Sequence, residues 1–263
     1  MFTPPDCAYI TVFGFNIYYY GIILAFAIFV GVLVSNRIAM VEYFRINLVS
    51  NIATSVILGG IIGARLYYCL LNFAQYSSNP MEIFALREGG LSIHGAILGG
   101  LIVLFFQAKL NRMPFLKLCD IFAMGLPLAQ AIGRWGNFFN SEAFGLPTNL
   151  PWGLYVKPQF RPDRYFSSNH FHPAFLYESL LDVLIFLILY LVMKKYKDNY
   201  GVITAWYLIL YSVVRFFIEY IRVDCVKYVF GVPFPQFISV LLISLSVLFL
   251  LVKHFTYKNV NKC

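Results

Sequence analysis

A chain of 263 residues that is 60% hydrophobic and only 12% charged, with a mean hydropathy of +0.73, carries far more apolar surface than a water-soluble core of its size takes up. It reads as an all-α polytopic membrane protein. The net charge of +8 excludes little by itself, but the basic residues fall between long apolar runs and form no single patch. That distribution argues against nucleic-acid binding and for a positive-inside bias. Cysteines at positions 7, 69, 119, 225 and 263 form no Cys-x-x-Cys pair, and no histidine stands at metal-ligand spacing, so no disulfide framework, metal or cofactor is expected. The N-terminus lacks the Lys/Arg n-region of a cleaved secretory signal.

Taken in chain order, apolar runs near the length needed to cross a bilayer predict seven spans, at about 17–36, 48–72, 91–109, 115–134, 173–193, 202–221 and 234–252. Seven crossings put the termini on opposite sides. The Lys/Arg excess falls on the segments with Arg37, Arg45, Lys109, Arg112, Lys117, the Lys194, Lys195, Lys197 cluster, and Lys253, Lys258 and Lys262. This predicts the N-terminus outside and the C-terminus in the cytoplasm. The chain is expected to form one integral membrane domain, 1–263, with one long connection, 137–172. Pro147, Pro151, Pro158 and Pro162 break any helix there, so it is expected to form a small external cap. Gly59-x-x-x-Gly63 and Gly95-x-x-x-Gly99 are spacings that let helices pack closely.

Ionisable residues inside a bilayer are costly and mark function by default. On this topology Tyr20, Arg65, His94, Arg134, Tyr177, Glu178, Arg215, Glu219 and Arg222 all lie toward the external ends of their spans. In the sixth span Tyr211, Arg215, Glu219 and Arg222 recur at intervals of four, four and three, which puts them on one helical face. The same spacing would serve an ion-pair ladder that only fixes packing. Two arginines against one carboxylate nevertheless leave a cationic surplus suited to an anion. His94 stands in Gly89-Gly90-Leu91-Ser92-Ile93-His94-Gly95, at the start of a span beside a glycine, where it serves either structure or proton transfer. Between Gly133 and Gly145, Arg134 shares a face with Gln130 and Asn137 if the fourth span persists that far. Glycines 133, 136 and 145 leave backbone open to a phosphate or ester. A helix terminus capped at the interface is the plainer alternative.

The stretch Gly-Arg-Trp-Gly-Asn-Phe-Phe-Asn-Ser-Glu-Ala-Phe-Gly, 133–145, resembles the signature of the prolipoprotein diacylglyceryl transferase family, Gly-Arg-x-Gly-Asn-Phe-x-Asn-x-Glu-x-x-Gly, at every fixed position. Tyr20-Gly21, Gly63-Ala64-Arg65-Leu66, Ser92-Ile93-His94-Gly95, His172-Pro173 with Leu176-Tyr177-Glu178, and Tyr211 with Arg215, Phe216, Glu219 and Arg222 extend the resemblance in order along the chain. Three positions depart from the pattern: Tyr19 replaces a Trp, Phe175 a Gln and Pro235 a Gly.

The resemblance implies transfer of a diacylglyceryl group from phosphatidylglycerol to the lipobox cysteine of a prolipoprotein, releasing glycerol 1-phosphate. The reaction needs a base for a thiol of pKa about 8.5 and cations for the departing phosphate in a water-poor site. By this likeness His94 is the expected base, and Arg134 and Arg215 the phosphate-binding pair, since the guanidinium fork matches phosphate oxygens. Tyr20, Asn137, Glu142, Gly145, Tyr211, Glu219 and Arg222 would bind or orient the lipid. Expected partners are phosphatidylglycerol and the signal segment of the prolipoprotein, both reached from within the bacterial cytoplasmic membrane, with no nucleic acid. A transporter of anionic lipids is the competing class, but it expects polar residues near the midplane. A structural scaffold would expect single substitutions at His94 or Arg134 to leave function intact.

Overall fold

The computed structural model describes residues 2–5, 7–43, 47–85, 89–223 and 228–260. The helices are α1 (Tyr19–Tyr43), α2 (Leu48–Leu71), the short α3 (Phe73–Ser78), α4 (Ile93–Leu110), α5 (Phe115–Phe139), α6 (Ala174–Tyr196), α7 (Val202–Ile218) and α8 (Phe234–Val260). Among the described residues, six of them are long and apolar enough to cross a membrane, and α7 is a shorter apolar helix. The chain is a multi-pass, all-α membrane protein. At 1.5 Å per residue, a helix of the length of α2 reaches about 36 Å, against a hydrocarbon core of about 30 Å. Arg45, Lys262, Cys225 and Cys263, weighed in the charge and cysteine readings, lie outside the described residues.

Several boundaries differ from expectation: α1 runs on to Tyr43, α6 to Tyr196 and α8 to Val260, and three further differences bear on the polar residues. The first span begins at Tyr19, because Tyr9–Val12 (β1) and Phe15–Tyr18 (β2) pair as an antiparallel hairpin. Its turn residues Phe13 and Gly14 take φ of 48° and 82°, as a tight two-residue hairpin loop requires. The fourth span continues to Phe139, so Gly133 and Gly136 are helical. The sixth ends at Ile218, which leaves Glu219 at its C-terminal cap and Arg222 beyond it. A second hairpin, Tyr228–Val229 (β5) with Val232–Pro233 (β6), leads into α8.

The described chain falls into two compact units, residues 35–122 and residues 1–34 with 123–263. In the first, the two small-residue spacings meet each other. A Cβ at Gly95 would lie 2.3 Å from the Gly63 carbonyl oxygen, and one at Gly99 would lie 2.3 Å from that of Gly59. The α2 and α4 backbones therefore pack directly, as small-residue seams in membranes allow.

Also in this unit, Arg65 is buried and spends its guanidinium on backbone. It donates to the carbonyls of Glu82 (2.5 Å), Ile83 (2.8 Å), Gly89 (2.7 Å), Gly90 (3.1 Å) and Ala85 (3.4 Å). It ties the ends of the 82–90 segment to α2, while Ser92 N donates to Ala64 O at 3.1 Å. Arg87 lies outside the described residues.

In the second unit, the connection after α5 is irregular but organised. Leu154–Tyr155 (β3) pairs with His170–Phe171 (β4), and its core gathers Phe144, Leu154, Val156, Phe171 and Phe175. Phe175, one of the departures from the family pattern, is fully buried there. Its ring lies 5.5 Å from that of Trp135 and 5.2 Å from that of Phe138. The aromatic has become part of the packing that roots this connection on α5 and α6, a gain in apolar burial that a glutamine could not make.

Candidate active site

The polar face of α5 meets those of α6 and α7 in the second unit, and one carboxylate lies at the junction. Glu178, in the second turn of α6, is only 2% exposed. Its Oε2 is 2.5 Å from Arg134 Nη2 on α5. Its Oε1 is 3.1 Å from Arg222 Nη1 and 3.9 Å from Arg215 Nη1 on α7. Arg215 Nη2 in turn lies 2.6 Å from Glu219 Oε2. Among the described residues, three guanidiniums thus share two carboxylates in this network. A buried carboxylate is tolerated only when paired in this manner.

Further contacts hold Arg134 and set Arg215 apart. Arg134 Nη2 also donates to Tyr211 OH at 3.5 Å, and the Tyr211 ring stacks on that of Tyr207, 5.9 Å between centroids. Tyr207 OH donates to Gln130 Oε1 at 3.0 Å, so α5 and α7 are joined by polar contacts for more than a turn. Arg215 Nη1 is buried and, among the described residues, has no hydrogen-bond partner. A buried donor left in this state costs stability unless something accepts from it.

The end of α5 supplies the next layer. Because the helix reaches Phe139, Gln130, Arg134 and Asn137 do share a face. Asn137 Nδ2 donates to Glu142 Oε1 at 3.0 Å and Asn140 Nδ2 to the same oxygen at 3.4 Å. The turn that returns Glu142 over the helix end places Ser141 and Ala143 at φ of 54° and 56°, a strained conformation for residues with side chains. Tyr20, near the start of α1, lies against Gly136, where a Cβ would be 2.8 Å from its ring.

Gly145 closes the stretch. Its N–H donates to His172 O at 2.8 Å, and it bridges to Arg222. A Cβ there would stand 2.7 Å from Ile221 and 2.8 Å from His172. Its role is close approach of backbones. Nearby, Tyr177 OH accepts from Trp152 Nε1 at 3.0 Å and lies 3.2 Å from His172 Nδ1. A cavity of about 600 Å³ borders Glu219 and Arg222, with Arg164, Tyr220 and Gln236 also on its wall.

Of the residues expected from sequence, Tyr20, Arg134, Asn137, Glu142, Gly145, Tyr211, Arg215, Glu219 and Arg222 all belong to this unit, and the three arginines share one ion-pair network. His94 belongs to the other unit, exposed in the first turn of α4, its ring 6.3 Å from that of Tyr67. Two buried acids on α6 are not among the residues that the sequence assigns to the site. Glu178, which the sequence marks only as a polar residue in a span, is the shared partner of the arginines. Asp182, one turn further along α6, is 1% exposed. The available signal was their four-residue spacing, which puts both on one face of an otherwise apolar helix. Among the described residues no group of three or more His, Cys, Asp or Glu could hold a metal ion.

Residues 8–252 match the family model described as prolipoprotein diacylglyceryl transferase. The chain is 40% identical over 252 residues to a phosphatidylglycerol–prolipoprotein diacylglyceryl transferase of Synechococcus elongatus, covering 94% of this chain and 87% of that one. It is 46% identical over 212 residues to the protein so named in Fervidobacterium nodosum, with 80% and 72% covered. To that of Thermotoga maritima it is 40% identical over 235 residues, with 89% and 80% covered. With a family model matched across nearly its whole length and relatives of this similarity, the chain belongs to the prolipoprotein diacylglyceryl transferase family.

Proposed function

We propose that this protein transfers the diacylglyceryl group of phosphatidylglycerol to the lipobox cysteine of prolipoproteins, with the phosphate held between Arg134 and Arg215. The observation that carries the assignment of the site is Arg215 Nη1, a buried guanidinium nitrogen without a hydrogen-bond partner among the described residues, in a network where Arg134 is already oriented by Glu178. A phosphodiester supplies the acceptor this donor lacks, and charge-assisted bonds from two planar forks fix its orientation.

In the reaction the cysteine sulfur attacks the glyceryl carbon attached to phosphate. The sulfur–carbon bond forms, the carbon–oxygen bond breaks, and the pair of electrons leaves on the phosphate of glycerol 1-phosphate. Negative charge grows on that phosphate as the bond breaks, so cations already aimed at it stabilise the transition state more than the ground state. Arg134 and Arg215 have that part. Tyr211 and Glu178 orient Arg134, Glu219 orients Arg215, and Arg222 adds positive charge. Tyr20, Asn137 and Glu142 shape the approach of the lipid over the end of α5, and Gly145 lets the connecting backbone pack there. His94 is the candidate acceptor of the thiol proton.

The setting that fits this chemistry is the bacterial cytoplasmic membrane, with the N-terminus outside, the C-terminus inside and the 137–172 connection as an external cap. Both substrates are then held in the membrane, one as a lipid and the other by its signal segment, and reach the site laterally. The deciding experiment combines purified protein, phosphatidylglycerol vesicles and a lipobox peptide, and seeks the mass of the thioether-linked diacylglyceryl peptide. No such product from folded protein would overturn the proposal.

A further inference from the structure

One turn beyond Glu178, α6 carries a second buried acid that the arginine network does not use. Asp182 is 1% exposed, and neither carboxylate oxygen has a hydrogen-bond partner among the described residues. On α7, which packs against α6, Ser212 is also 1% exposed and its Oγ is likewise unpartnered. Ser212 lies three residues before Arg215 and so shares its face. Asp182 is within electrostatic range of both Arg134 and Glu178. Four residues of helix separate Asp182 from Glu178, a rise of about 6 Å.

Two acceptor oxygens and a hydroxyl, buried without partners among the described residues, are a costly arrangement in an apolar span unless a bound molecule completes it. A molecule that satisfies them carries hydroxyl donors about one helical turn from the group held by the arginines. The headgroup of phosphatidylglycerol has that form: a phosphate followed by a short carbon chain with two neighbouring hydroxyls.

We propose that Asp182, with Ser212, binds the hydroxyls of the headgroup glycerol and selects phosphatidylglycerol among phospholipids. The inference rests on the phosphate lying at Arg134 and Arg215. Both hydroxyls donate to the Asp182 carboxylate, and Ser212 Oγ shares one of them. Lipids whose headgroup has no diol leave the carboxylate unpartnered, as it is in the free protein, and forgo the bonds that favour phosphatidylglycerol.

The test compares phosphatidylglycerol with a lipid of the same acyl chains and a phosphopropanol headgroup, which keeps the phosphate and carbon chain but lacks both hydroxyls. The readout is the ratio of kcat/KM for the two lipids, measured with a lipobox peptide in detergent micelles. The wild-type protein is expected to favour phosphatidylglycerol. Asp182→Asn is expected to lower the ratio at least tenfold by slowing transfer from phosphatidylglycerol alone, and Ser212→Ala to lower it about threefold, in line with lost bonds to a charged and a neutral group.

A wild-type protein with no preference, or an Asp182→Asn variant that leaves the ratio unchanged or slows both lipids equally, overturns the inference. If Asp182→Asn does not fold, the ratio for Ser212→Ala decides, and an unchanged ratio overturns the inference. Transfer from neither lipid by the wild-type protein would instead overturn the functional assignment on which the inference depends.

Discussion

Glu178→Gln is the substitution with the largest expected effect for the smallest change in shape. The amide fills the same volume, but its charge is gone and its NH2 group is a donor facing guanidiniums that are also donors. The lost contacts are the 2.5 Å pair with Arg134 and the 3.1 Å pair with Arg222, at a position 2% exposed. Breaking a buried pair by removing one partner costs about 3–5 kcal/mol. Some of this lowers the unfolding temperature in detergent; the rest is released by the arginines turning away from their aim. If about 2–3 kcal/mol falls on the aim, kcat/KM for phosphatidylglycerol drops about 30- to 150-fold. Glu178→Asp keeps the charge but retracts it by about 1.5 Å, so it should lie between the two. The assay is thioether formation on a lipobox peptide over a range of phosphatidylglycerol, with thermal unfolding measured in parallel. A Glu178→Gln variant within about threefold of wild type in kcat/KM would refute the reasoning that this carboxylate aims the arginines.

Arg134→Ala and Arg215→Ala should each abolish measurable turnover, a loss of at least about 10³-fold, while the protein still unfolds cooperatively; full activity in either removes that residue from the phosphate site. His94→Asn should slow transfer at neutral pH and flatten the rise of rate with pH, and normal rates across the pH range would assign the proton to another group. Gly95→Leu should force α2 and α4 apart, because even a Cβ would be 2.3 Å from the Gly63 carbonyl oxygen. The expected penalty is about 1–3 kcal/mol, read as a lower unfolding temperature, and an unchanged midpoint would mean that the two helices do not pack through their glycines.

The spans were legible in the sequence because crossing a bilayer imposes a length and an apolar composition that no local interaction overrides. The face shared by Gln130, Arg134 and Asn137 was legible for a similar reason, since it depends only on helix periodicity. Contacts between helices were not. Periodicity says that Arg215 and Glu219 can pair along α7, but not that Arg134 and Arg222 converge on Glu178, which depends on how three helices are rotated about their axes. Arg65 shows the converse error. An arginine in a span suggests an anion, yet here its partners are backbone carbonyls, which leave no mark in a sequence. The hairpin before α1 is not legible because its strands are only four residues long and Ile17 and Tyr18 run without a break into the apolar helix.

The division of the chain also bears on how the protein is made. Residues 35–122 are contiguous, so the α2–α4 seam has all its parts as soon as that stretch has left the ribosome, and chains generally fold N-terminal units first. The unit that contains the arginine network is interrupted. Tyr20 is synthesised early, yet it must wait through the whole intervening unit for Gly136, against which it packs, and longer still for Arg215 and Arg222. A nascent chain cut short between α4 and α7 would hold a finished glycine seam and an incomplete arginine network. The charged network would thus be among the last parts to close, when nearly all of the apolar chain is already in the membrane.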